Sequence, residues 1–265
     1  MLANLFKPTP LLDNATKDWI LDTFAWALSE FDLNVFKQDS QLILPIYEFY
    51  PGKVNSIEEM AQSVFEHTLK YAGMQHWPIK LVSPNKYQPT AMAKLSFKDG
   101  MRGAQSQVIN TDYSEQNNSE ILVSYNPSQI NQPQDLVASF AQAFAAILIA
   151  QRGVSPPGGE EFMPQAMDLL ACFMGFGVMF ANTAYQFKGG CGSCYNKYAN
   201  RQVALPEQEM IYCLALFSTL KSIPAKQVTT HLKSHLRSDF KKAMKELQGE
   251  LKQNSNLALI SAKLT

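Results

Sequence analysis

The sequence predicts an α+β fold: a small mixed sheet in the first half, a buried central helix, and a mainly α-helical second half. Three observations predict it. Short apolar runs bounded by turn residues recur between residues 79 and 125, the pattern of strands. From residue 133 onward the apolar spacing becomes helical. At the start of the second region, Asp135–Ala150 is almost wholly apolar over a helical length, and a helix that is apolar all round is a buried one. A chain of 265 residues fits one large domain, with an α/β part over 1–130 and a helical part over 131–265 sharing one core.

Each element has its own justification. Asp13 or Asn14 caps a first helix that runs to about Phe31, with Trp19, Ile20, Phe24, Ala27 and Phe31 near helical spacing. Gln41–Ile46 reads as a short strand that Pro45 places at an edge or an end. Ser56 with Glu59 forms a capping box opening a helix to about Tyr71. Ile79–Val82, Ala91–Phe97, Gln107–Asn110 and Glu120–Tyr125 read as strands, and Asn126–Pro127 stops the last of them. Helices are then expected over about 133–151, 163–187 and 206–220, with one or two more after Ala225. Pro206 suits the first turn of the third of these. Arg152–Pro164 holds three prolines and three glycines and is expected to be a loop.

Composition narrows the function. The chain is 46% hydrophobic and 17% charged, enough apolar content for a core and too little charge for a disordered chain. Basic and acidic residues balance at 23 each, which argues against an electrostatic grip on nucleic acid or on a membrane surface. The basic run Lys233–Lys245 is read as the solvated face of a C-terminal helix. The first ten residues lack the charged leader and apolar core of a secretory signal, so a cytoplasmic location is expected. Leu169–Phe187 is uncharged over 19 residues, close to the length of a membrane span. Its glycines, Asn182 and Gln186 favour a buried helix of a soluble core, leaving a membrane-associated helical protein as the rival.

The pieces together resemble a family of bacterial zincin-like metallopeptidases. Ile43–Pro51 is similar to that family's early strand and acidic-aromatic turn, and Gln134–Phe140 onward to its central helix. Pro157–Met163 is similar to the following loop, Asp168–Asn182 to the next buried helix, and Tyr212–Phe217 with His231–Arg237 to the C-terminal helices. The family's central helix carries His-Glu-x-x-His, two imidazoles on one face with the glutamate as base. The resemblance puts Gln142 at the first histidine, Ala143 at the glutamate and Ala146 at the second histidine. The family's later acid falls on Asp168, 22 residues beyond Ala146. A catalytic zinc needs three converging ligands, and here two of them are replaced. Without the glutamate, nothing at that position deprotonates a bound water. No cofactor or metal is therefore expected. Gln142 can hydrogen-bond, with Asp168 as its partner if that acid remains partly buried.

Other constellations carry less. Cys191 and Cys194 flank Gly-Ser in a glycine-rich loop, half of a zinc site or a redox pair, with two plain loop thiols as the bland alternative. Cys172 and Cys213 sit in apolar runs, where a thiol is a small core residue. His231 and His235 have the i, i+4 spacing of a shared ligand face, but Lys233 and Arg237 favour a surface or capping role. Glu160 and Glu161 suit a helix start better than catalysis. Gly175 and Gly177 are read as small residues allowing close helix packing. The expected function is that of an inactive zincin-like protein, a pseudo-metallopeptidase, that binds a protein or peptide, with Ile43–Ile46 or Ile121–Tyr125 as its edge strand. The rival is a hydrolase with an unrecognised metal site using Asp168 and the Cys191/Cys194 loop, with Glu160 or Glu161.

Overall fold

The computed structural model describes residues 9–52, 55–89, 91–109, 120–184 and 199–251. It is mixed α and β with helix predominating, and the strands all fall between the third and fourth helices.

Helix α1 (Asn14–Glu30) starts where Asp13 accepts the Thr16 N–H, the cap its position implies. It buries Ile20, Phe24 and Ala27, one helical face. A short α2 (Leu33–Gln38), invisible to sequence patterning, follows a left-handed turn at Asp32. Helix α3 (Ile57–Tyr71) starts with Ser56 accepting the Glu59 N–H. The reciprocal half of the expected box is shifted by one: Glu59 Oε2 accepts from Asn55 N, at 2.8 Å.

Strand β1 (Ile79–Val82) pairs in parallel with β4 (Ile121–Ser124), Ile79 opposite Ile121. Strands β2 (Ser96–Lys98) and β3 (Gln107–Ile109) form a separate antiparallel pair. Among the described residues the expected single mixed sheet is therefore two two-stranded sheets. The expected strand over 91–97 shrinks to the start of β2. Gln41–Ile46 is not a strand: Leu42, Ile43 and Leu44 are all buried. A segment buried on every side cannot alternate, and its Ile43 N–H goes to Gly175 O, 2.9 Å away inside a helix, instead of to a neighbouring strand.

Helix α4 (Pro133–Arg152) has Pro133 in its first turn and ends at Gly153 with φ 72°, a left-handed C-cap. Phe140 and Phe144 pack edge-on against Phe65 of α3. Helix α5 (Met163–Ala171) passes through a π-helical turn, Cys172–Phe176, into α6 (Gly177–Thr183). The single helix expected over 163–187 is thus kinked, because Gly175 adopts φ 106° to receive the Gln41–Ile43 segment. A side chain there would put its Cβ 2.1 Å from Gln41 O. Gly177 meets the expected role: its Cβ would sit 2.9 Å from the Leu214 side chain of a later helix. Helices α7 (Glu207–Leu220), α8 (Ala225–Thr229) and α9 (Leu236–Glu250) complete the order, with Pro206 capping α7 instead of lying in its first turn.

One hydrophobic cluster runs from α1 to α9. Among the described residues two helical stretches, Pro133–Arg152 and Glu160–Thr183, are long and apolar enough to cross a membrane, and the apolar window of the second is 94% buried inside the fold.

Candidate functional site

Helix α4 is not buried all round, contrary to expectation. Gln142, Ala143 and Ala146 share a half-exposed stripe, while Ala141, Phe144 and Ala145 are fully buried. Instead of hydrocarbon filling the place where the resemblance implies a metal, a polar network borders this stripe.

Asp168 on α5 is fully buried and faces α4. Gln142 Nε2 donates to Asp168 Oδ1 at 2.7 Å, the bond anticipated from sequence, and also to the Gln202 carbonyl at 3.2 Å. Arg201 supplies the opposing charge. Its Nη1 lies 3.3 and 3.2 Å from the two Asp168 oxygens, with both side chains at 0% exposure. The backbone N–H groups of Ala204 and Leu205 donate to Asp168 Oδ2 at 3.0 and 3.1 Å. The carboxylate thus accepts from one amide side chain, one guanidinium and two peptide groups. A buried carboxylate is tolerated only when paired and hydrogen-bonded in this way.

Arg201 is satisfied on its other side. Its Nε donates to Thr183 Oγ1 at 2.8 Å and its Nη2 to Phe180 O at 3.3 Å. The guanidinium lies over the Phe180 ring, 4.2 Å from the centroid. Burial pulls its pKa below the ordinary arginine value, and the Asp168 charge opposes that. Asp135, in the first turn of α4, accepts the Arg201 N–H at 3.0 Å and so anchors the backbone that carries the guanidinium. Burial pushes the Asp135 carboxyl above its usual range. The network can tie segment 200–205 to α4, α5 and α6. It has no free lone pair on Asp168 for a cation.

Arg201 was missed from sequence, and no local signal could have found it. It is a lone arginine in a polar stretch, 33 residues from the acid it neutralises. The other candidates do not converge on Asp168. Glu160 and Glu161 are exposed, and Glu160 accepts from Ser155 Oγ at 2.8 Å. His231 and His235 do not share a helix: α8 ends at Thr229, before His231, and α9 begins at Leu236, after His235. His235 lies 3.1 Å from Glu207. Cys172 and Cys213 are buried free thiols, and burial raises both pKa values, as suits core residues. Cys191 and Cys194 lie outside the described residues. Among the described residues no three His, Cys, Asp or Glu side chains gather as a metal site would require.

No protein-family model, no curated protein and no solved structure matches the chain.

Proposed function

We propose that this is a zincin-like protein without a peptidase centre, a pseudo-metallopeptidase that works in the cytoplasm by binding a protein or peptide. The observation that carries the reading is the state of Asp168. The acid that would be a third metal ligand is neutralised by Arg201 and filled by the Gln142, Ala204 and Leu205 donors. Gln142, Ala143 and Ala146 add no imidazole and no base beside it. Binding without chemistry is the use left to such an arrangement. Strand β4 is the edge to which an extended segment would add, since among the described residues it pairs only with β1. The other edge candidate, Ile43–Ile46, forms no strand and is withdrawn.

The test is metal content and hydrolysis together. Purified protein is expected to carry well under one zinc per chain, and to leave a casein-like polypeptide intact with or without a chelator. One tightly held zinc per chain, or cleavage that a chelator abolishes, overturns the reading. Recovery of a defined partner by co-purification supports its second half.

A further inference from the structure

We draw no further inference here: the strongest candidate, the apolar cavity of about 290 Å³ that Pro45, Ile46, Tyr50, Val64, Val137 and Met179 line between the 45–52 segment, α3, α4 and α6, carries nothing because nothing in the structure shows what covers it.

Discussion

At the scale of single residues, the chemistry turns on which charges are satisfied. Asp168 and Arg201 are a buried pair whose desolvation is offset only because each also has several neutral partners. Removing one member leaves the other charged and alone. Asp168→Ala is therefore expected to lower stability by about 3–5 kcal/mol, read as a shift in the denaturant midpoint. Replacing both, as Asp168→Leu with Arg201→Met, should cost less than Asp168→Ala alone. If the single change leaves stability untouched, the pair does not hold segment 200–205 in place.

At the scale of elements, the kink between α5 and α6 records a long-range demand on a local structure. Gly175 gives up helical geometry so that its carbonyl can accept Ile43 N–H and the buried Gln41–Leu44 segment can pass. Gly175→Ala brings left-handed strain plus a 2.1 Å contact with Gln41 O, and should cost about 3 kcal/mol or more. Gly159 also has positive φ, 82°, but nothing within 4 Å of a new Cβ. Gly159→Ala should cost about 1–3 kcal/mol, the strain alone of φ 82° with ψ −164°, a conformation essentially confined to glycine. Thermal unfolding of the two variants separates strain from collision, and equal losses would refute the assignment. The capped starts of α1 and α3 were readable in advance because a cap is a contact across three residues. The kink and the failed strand at 41–46 were not, because both depend on a partner more than 130 residues away.

At the scale of the whole molecule, the first and last helices are joined by charge as well as by hydrocarbon. Lys17 of α1 is buried, with Nζ 3.0 Å from Glu246 and 3.2 Å from Glu250 of α9. Burial alone would lower the Lys17 pKa, but the two carboxylates outweigh it and the net direction is upward. A raised lysine contributes stability that is complete below its ordinary pKa and is lost as pH climbs through the higher folded value. Thermal stability should accordingly fall above about pH 10.5 by an amount on the order of 1 kcal/mol that Lys17→Met no longer shows. An identical alkaline decline in both proteins would remove this pair from the account.

What the sequence by itself determined is what period and neighbourhood encode: the bounds of α1, α3, α4 and α7, the caps of α1 and α3, the places of β1, β3 and β4, and the burial of Cys172 and Cys213. What only the tertiary structure decided are the contacts that span the chain. These are the guanidinium of Arg201 on Asp168, the parallel pairing of β1 with β4, the kink at Gly175 and the Met101 and Arg102 N–H groups on Asp32. The reason is physical: amphipathic spacing fixes which face of an element turns inward, but not which distant charge meets it there. That choice is made by packing and by the need of every buried polar group to find a partner.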